Sequence, residues 1–211
     1  MNTTSREFFE RMYTETADPW SFASNEYEQQ RYATILGFVP HGRFRRAFEP
    51  GCSIGELTAR LADRCGFVTA IDIADAAVEI ARDRCSGLDN VDVHQGSLLD
   101  DMPRGLFDLV VFSEIGYYFV AAQLAELAHE LASRIEPRGQ LIAVHWTGAS
   151  PDHLLPGRVV HEVLREHLPM EHLHHENHQS DDRDGFVLDM WRRRESTLAS
   201  LPCRSHGFPR S

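Results

Sequence analysis

Lysine is absent from this chain of 211 residues, so arginine supplies all 21 of its fixed positive charges. Aspartate and glutamate together number 32, which gives a formal net charge of -11. Proteins that bind the phosphates of a nucleic acid do so through a basic face. Because the composition has an excess of acid, we predict no nucleic-acid partner.

Long apolar runs are missing as well. No stretch reaches the roughly 18 consecutive apolar residues of a membrane-spanning helix. The N-terminal stretch carries charges at Arg6, Glu7, Glu10 and Arg11, whereas a secretory signal has an uncharged apolar segment there. We therefore predict a cytoplasmic protein with no membrane span.

Metal-binding motifs are also missing. The four cysteines form no Cys-x-x-Cys pair, which favours free thiols over disulfides or a zinc site. Four histidines cluster near the C-terminus, but they lack the partners of a metal site and their alternation favours a solvated strand. These histidines are His172, His174, His175 and His178. We predict no bound metal.

What the sequence does contain is an alternation of short apolar runs with helical patterns. The apolar runs cover 44–48, 67–73, 91–95, 107–112 and 140–146. The helical patterns cover 55–65, 74–86 and 120–135. Such alternation is typical of parallel strands joined by crossover helices. We predict an α/β fold: a Rossmann-like, mostly parallel sheet with helices on both faces.

The two ends of the chain have other patterns. Apolar residues with helical spacing predict two N-terminal helices, and residues 1–40 would form a helical lid. Near the C-terminus, "MEHLHHENHQSDD" and "GFVLDMWRRR" are typical of two strands paired across the turn-like "DDRDG", which adds an antiparallel hairpin strand to the sheet. We predict one domain over 1–195 and a disordered tail over 196–211.

The segment "FEPGCSIGELT" joins the first strand to the first helix of this predicted sheet. Ligands bind at the carboxyl ends of such strands, where glycines let the backbone approach them and a helix N-terminus offers unpaired N–H groups. The second strand ends at Asp72, seventeen residues after Gly55, as expected of an acid that accepts hydrogen bonds from ribose hydroxyls. The glycine turn and the acid together predict a cofactor site.

These motifs resemble those of a known family. "FEPGCSIGELTARLA", "AIDIADAAVEIAR", "FDLVVFSEIGYYF" and "RGQLIAVHW" are similar to the cofactor segments of class I S-adenosylmethionine-dependent methyltransferases. "DPWSFASNEYEQQRY" and "VHWTGASPDHLLPGRVVHE" resemble, more narrowly, the rhizobial nodulation N-methyltransferases. The resemblance implies a methyltransferase fold, S-adenosyl-L-methionine as cofactor, and the free amine of a de-N-acetylated chitooligosaccharide or other amino sugar as acceptor.

The resemblance also implies roles for particular residues. It places Gly51, Cys52 and Gly55 near the methionine portion of the cofactor, Asp72 and Ile73 at its ribose, Ser97 and Leu98 at its adenine, and Ser113 in the same site. Glu49 would orient either the glycine turn or the amino acid end of the cofactor. The acceptor would be bound by Trp146, Asp152, Tyr117 and Tyr118, although the two tyrosines fit a core or lid pair equally well. Trp20 and Tyr27 would fold over the cofactor as part of the lid.

Methyl transfer to an amine is an in-line displacement, so the enzyme mainly has to align donor and acceptor. The amine must be neutral, and a carboxylate or an imidazole can take its proton. The candidate catalytic residues are Glu114 and His145, which follow or end strands at the cofactor edge, and His161, in the following helix, which could close the sugar side.

Other interpretations remain open at this point. Asp72 also fits a helix cap, Glu114 an exposed loop acid and His145 a core histidine. The chain also fits a methyltransferase for oxygen or another small molecule, an NAD(P)-dependent oxidoreductase or a cofactor-binding protein without turnover. Ser53, which stands where a dinucleotide fingerprint has its second glycine, disfavours the oxidoreductase.

Overall fold

The computed structural model describes residues 5–179 and 185–195. Its helices are α1 (Arg6–Glu15), α2 (Glu26–Gly37), α3 (Glu56–Ala62), α4 (Asp75–Cys85), α5 (Ala121–Ser133) and α6 (Gly157–His167). Its strands are β1 (Arg46–Pro50), β2 (Phe67–Asp72), β3 (Val91–Gln95), β4 (Phe107–Ser113), β5 (Ile135–Trp146), β6 (Glu171–His178) and β7 (Phe186–Arg192). A short 3-10 helix, Gly116–Tyr118, follows β4.

The strands form one sheet in the order β3-β2-β1-β4-β5-β7-β6. Neighbouring strands from β3 to β5 are parallel, and β7 runs antiparallel to both β5 and β6. The predicted α/β sheet, its antiparallel C-terminal strand and the two N-terminal helices are therefore confirmed. The predicted turn at 181–185 lies outside the described residues except for Gly185, and the predicted tail at 196–211 lies wholly outside them. The single domain over 1–195 stays a prediction.

Helices cover both faces of the sheet, which explains why the central strands are apolar without interruption. In β4, Val110 and Phe112 pack with α5 and α6 on one face, while Leu109 and Val111 pack on the other face with α2 and α3. All four of these side chains are buried. A strand that is buried on both faces loses the alternation of polar and apolar residues that marks a half-exposed strand.

Helix α1 lies at the carboxyl edge of the parallel strands. Tyr13 on α1 donates a hydrogen bond from its hydroxyl to the Ser53 hydroxyl, 2.6 Å away, in the turn after β1. The Glu10 carboxylate accepts hydrogen bonds from the backbone N–H groups of Asp75 and Ala76, at 2.7 and 3.2 Å. Helix α1 therefore caps the N-terminus of α4 from outside the helix. Within the described residues, no helix is both long enough and apolar enough to cross a lipid bilayer.

We expect Glu10→Ala to lower the free energy of unfolding by about 1 kcal/mol, because it leaves the first N–H groups of α4 without this cap. Denaturant unfolding followed by circular dichroism measures the change. The matched control is Glu15→Ala, at an exposed position of the same helix. Equal destabilisation by the two substitutions would show that the contact between Glu10 and α4 contributes nothing specific.

Candidate active site

A cavity of about 740 Å³ lies at the carboxyl ends of the parallel strands, under α1 and the connector to α2. Gly51, Asp72, Glu114 and Trp146, which end or follow β1, β2, β4 and β5, lie in its wall. Because these four strands are parallel and consecutive in the sheet, their carboxyl ends lie at one edge. This is the place where open α/β sheets bind their ligands.

The turn after β1 brings bare backbone to this cavity. Gly51 has a φ of +72°, and a Cβ atom there would overlap the side chain of Ile115. Ser53 also has a left-handed φ, of 51°, and its backbone N–H points at Asp72. Gly55 is left-handed as well, but its Cα faces Ala81 of α4 and it does not line the cavity.

Asp72 fixes the shape of this turn and also faces the cavity. Its two carboxylate oxygens accept hydrogen bonds from the backbone N–H groups of Ser53, at 2.9 Å, and Ala74, at 3.0 Å. Burial raises the pKa of Asp72, against the opposing effect of these hydrogen bonds. Each carboxylate oxygen has a further lone pair, so Asp72 can still accept hydrogen bonds from a bound hydroxyl.

A smaller recess, of about 30 Å³, lies beside the turn and contains a buried arginine. Arg31 of α2 is 1% exposed and forms ion pairs with Glu28 and Glu114; Nη1 lies 2.7 Å from Oε1 of Glu114. Burial opposes its charge, but Glu114 and Glu28 outweigh burial and raise the pKa of Arg31. Within residues 5–179 and 185–195, the buried Nε and Nη1 atoms find no aligned hydrogen-bond acceptor. Buried donors are normally paired, so this guanidinium has hydrogen-bonding capacity to spare.

Glu49 is a buried acid in the wall of the same recess. Burial raises its pKa to about 8, and the hydrogen bond of 2.6 Å from the Thr58 hydroxyl only partly offsets that effect. An acid with such a pKa is protonated at neutral pH unless a positive charge lies beside it.

Glu114 holds several parts of the cavity wall together. It has a left-handed φ of 61°, which turns the chain sharply at the end of β4. Its Oε1 accepts a hydrogen bond from the Trp146 backbone N–H at 2.8 Å, and its Oε2 accepts one from the Tyr117 hydroxyl at 2.9 Å. With Arg31 also in contact, this carboxylate is a structural hub as well as part of the cavity.

The structure brings most of the predicted site residues together. Lining the cavity are Gly51, Asp72, Ile73, Ser97, Leu98, Glu114, Tyr117, Tyr118, Trp146, Trp20 and Tyr27. Lining the recess are Glu49, Cys52 and Ser113. Lining neither are Gly55, His145, His161 and Asp152.

The expectation that His145 and His161 reach the acceptor needs correction. Both residues are fully buried. Nε2 of His145 accepts a hydrogen bond from the Gly116 backbone N–H at 2.9 Å, so neither its position nor its lone pair is open to a ligand. His161 lies still deeper, against Asp189. The alternative interpretation of His145 as a core histidine describes its position.

Among the residues of the cavity and the recess that the sequence did not predict are Arg31, Tyr13 and His153. Arg31 follows Glu28 at a spacing of three, which on a helix usually marks a surface ion pair. Tyr13 belongs to an amphipathic pattern that does not reveal what it faces. His153 stacks on Tyr117 with ring centroids 3.6 Å apart. The sequence points to its neighbour Asp152 as the acceptor-binding residue of this loop. Residues 5–179 and 185–195 contain no group of three or more histidine, cysteine, aspartate or glutamate side chains arranged to hold a metal ion.

The strand order and the glycine turn define the class: a Rossmann-like methyltransferase fold. Within it, a model of the Nodulation protein S (NodS) family matches residues 3–194. The chain therefore belongs to the NodS family, and the resemblance seen in the sequence is confirmed.

Individual relatives are consistent with this assignment. Nodulation protein S of Sinorhizobium fredii is 30% identical over 127 residues, which are 59% of each chain. The match to such curated relatives thus spans less than two thirds of their length. The N-methyltransferase NodS of Bradyrhizobium japonicum, solved with S-adenosyl-L-homocysteine, has the same fold, with a TM-score of 0.77 and 24% identity over 92% of this chain and all of that one. A provisionally assigned methyltransferase from Pseudomonas syringae is 39% identical over 80% of this chain and all of that one, with a TM-score of 0.68.

The buried Glu49 predicts a pH dependence of stability. Its pKa in the folded chain, about 8, lies above the ordinary value of 4.5, so folding favours the protonated form. Its contribution is therefore fully present below about pH 4.5 and is lost as the pH rises through about 8. We expect the free energy of unfolding to fall more steeply between pH 5 and about 8.5 in the natural protein than in Glu49→Gln.

Urea unfolding at several pH values measures this difference. Glu79→Gln, at an exposed position of α4, is the matched control and should keep the natural slope. Parallel curves for the natural protein and Glu49→Gln would contradict the raised pKa.

Proposed function

We propose that this chain is an S-adenosylmethionine-dependent N-methyltransferase whose acceptor is the free amine of a de-N-acetylated amino sugar or chitooligosaccharide. The observation that carries the proposal is the pairing of a ribose-type acid, Asp72, with a recess that holds a buried acid and a buried arginine with spare donors. The NodS family membership supports it. The cytoplasmic location and the lack of a nucleic-acid partner stay predictions.

The residues of the recess suit the amino acid end of this cofactor, which carries one carboxylate and one ammonium group. Arg31 would donate its free N–H groups to the carboxylate, the kind of charge-assisted bond that guanidinium groups form best. Glu49 would face the ammonium group, whose charge favours the ionised form of an acid that is otherwise protonated at neutral pH. Arg31 and Glu49 line one recess, and with the ammonium group bound they would carry opposite charges, as a zwitterionic ligand requires.

The cavity wall suits the rest of the cofactor. Asp72 would accept hydrogen bonds from the ribose hydroxyls, and Ser97 and Leu98 would flank the adenine. When bound, S-adenosylmethionine supplies a methyl group activated by the positive sulfur atom. The protein then has to hold donor and acceptor in line and exclude water.

The remaining wall of the cavity suits a sugar that carries an amine. Trp146 and Tyr118 offer aromatic surfaces for a pyranose ring, and Glu28 and Glu114 provide negative charge for an ammonium group. Burial raises the pKa of Glu28 to about 7, against the lowering effect of Arg31. A carboxylate with a pKa near the working pH is well suited to take the proton that the amine must lose.

The cofactor part of the proposal predicts the effect of Asp72→Asn. We expect the affinity for S-adenosylhomocysteine to fall by about 10- to 100-fold, because hydrogen bonds to a charged acceptor contribute roughly 1.5 to 3 kcal/mol. Isothermal titration calorimetry measures the affinity, and the exposed Asp83→Asn on α4 is the matched control. An unchanged affinity in a folded Asp72→Asn protein would remove Asp72 from the binding site.

The acceptor part predicts which oligosaccharide is methylated. A de-N-acetylated chitooligosaccharide should accept labelled methyl groups, and the fully N-acetylated oligomer of the same length should not, because an amide nitrogen has no available lone pair. Equal labelling of the two oligomers would contradict an amine acceptor.

In the same assay, Glu114→Gln should lower turnover on the deacetylated oligomer by about 10²- to 10⁴-fold. The loss would follow from removing the negative charge beside the acceptor and the ion pair with Arg31. Glu126→Gln, exposed on α5, is the control and should retain natural turnover. Natural turnover in Glu114→Gln would exclude a role for that charge.

A further inference from the structure

Behind the cavity wall, a chain of buried side chains links three elements of the fold. Nδ1 of His145, on β5, lies 3.1 Å from Nε2 of His161, on α6. Nδ1 of His161 lies 2.6 Å from Oδ2 of Asp189, on β7. At its other end, Nε2 of His145 meets the backbone N–H of Gly116 at 2.9 Å. All three residues are fully buried.

The hydrogen bonds among these buried side chains determine which ring nitrogen of each histidine carries its proton. The Gly116 amide only donates, so Nε2 of His145 carries no proton and accepts. His145 is then protonated on Nδ1 and donates to Nε2 of His161. His161 in turn carries its proton on Nδ1 and donates to Asp189. Burial lowers the pKa of both imidazoles, which keeps them in this neutral arrangement.

Asp189 anchors the chain as an acceptor. Besides His161 it accepts from Arg165 Nη2 at 2.8 Å, and the ring nitrogens of His172 and His175 lie 2.6 and 3.0 Å from its Oδ1. Burial alone would raise the pKa of Asp189, but the hydrogen bonds from His161 and Arg165 outweigh burial and lower it. A carboxylate that stays ionised cannot donate, so the direction of the chain is fixed.

At its other end, the chain holds the turn that forms part of the cavity wall. Gly116 begins the 3-10 helix that connects Glu114 to Tyr117, and both of these residues line the cavity. A Cβ atom at Gly116 would overlap Val160 of α6 and lie too close to His145, so the turn is packed tightly against the chain. The position of the Gly116 N–H therefore sets the positions of Glu114 and Tyr117.

We propose that Asp189, His161 and His145 are positioning residues for methyl transfer, which hold the Gly116 turn so that Glu114 and Tyr117 face the acceptor correctly. The chain does not carry a proton out of the cavity, since its first nitrogen is occupied by an amide that keeps its proton. The effect on the rate of methyl transfer rests on the proposed function. The hydrogen-bonded arrangement of the three side chains does not depend on it.

The arrangement is tested by nitrogen-15 NMR on the natural, full-length protein near pH 7.5. We expect His145 to be protonated on Nδ1 and unprotonated on Nε2, His161 to be the same tautomer, and the Gly116 amide to exchange slowly with solvent. A proton on Nε2 of His145, or fast exchange at Gly116, would overturn the proposal without the need for any variant.

The kinetic consequence is tested by His145→Gln and His145→Asn. The side-chain oxygen of glutamine reaches as far as Nε2 and can accept from Gly116, whereas the asparagine side chain ends near the position of Nδ1. We expect kcat to fall by about 10²-fold in His145→Asn, the cost of a small misplacement at the site, and to be largely retained in His145→Gln. The KM for S-adenosylmethionine should stay within about twofold of the natural value in both variants, since residue 145 does not line the recess.

The outcomes separate a positioning role from a merely structural one. Equal losses of kcat in the two variants, or losses that follow their melting temperatures, would overturn the kinetic part. An absence of methyl transfer by the natural protein would contradict the proposed function, and the NMR measurement would still decide whether the chain holds the turn.

Discussion

The burial of Arg31 between Glu28 and Glu114 is the interaction on which the site depends. A guanidinium removed from water is costly unless carboxylates surround it, and removing one partner of such a group leaves an uncompensated charge. Here the partners come from different elements: Glu28 belongs to α2, and Glu114 follows β4. Because Glu114 also accepts from the Trp146 N–H at the end of β5, the ion pairs tie α2 to two central strands.

The same cluster joins the two halves of the proposed reaction. Arg31 lines the recess that the proposal assigns to the amino acid end of the cofactor, and within the described residues its buried Nε has no hydrogen-bond acceptor. Glu114 lines the cavity that the proposal assigns to the acceptor. Glu114 is itself placed by the turn that the buried histidine chain holds from behind. In the proposed reaction, the binding of the cofactor, the binding of the charged acceptor and the geometry of the turn all depend on the same few side chains. This explains why so many polar groups are buried at this edge of the sheet.

The sequence predicts the fold well, because alternating runs and helices leave few other ways to bury the apolar residues. It also predicts Asp72 and Glu114, since the residue at the end of a parallel strand lies at the ligand edge. The prediction is wrong for His145, the residue before Trp146. Neighbouring residues on a strand point to opposite faces, so Trp146 lines the cavity while His145 is buried behind it. Arg31 could not be found in this way, because its partner Glu114 is distant in the sequence and its pairing with Glu28 resembles a surface contact.

The most direct test is the affinity of the natural protein for S-adenosylhomocysteine, measured by calorimetry against that for an analogue that lacks only the carboxyl group. If Arg31 binds the carboxylate, the complete ligand should bind about 10- to 100-fold more tightly. In Arg31→Lys, which keeps the charge but loses the planar fork of donors, this preference should shrink. Equal affinities of the natural protein for the two ligands would contradict the account.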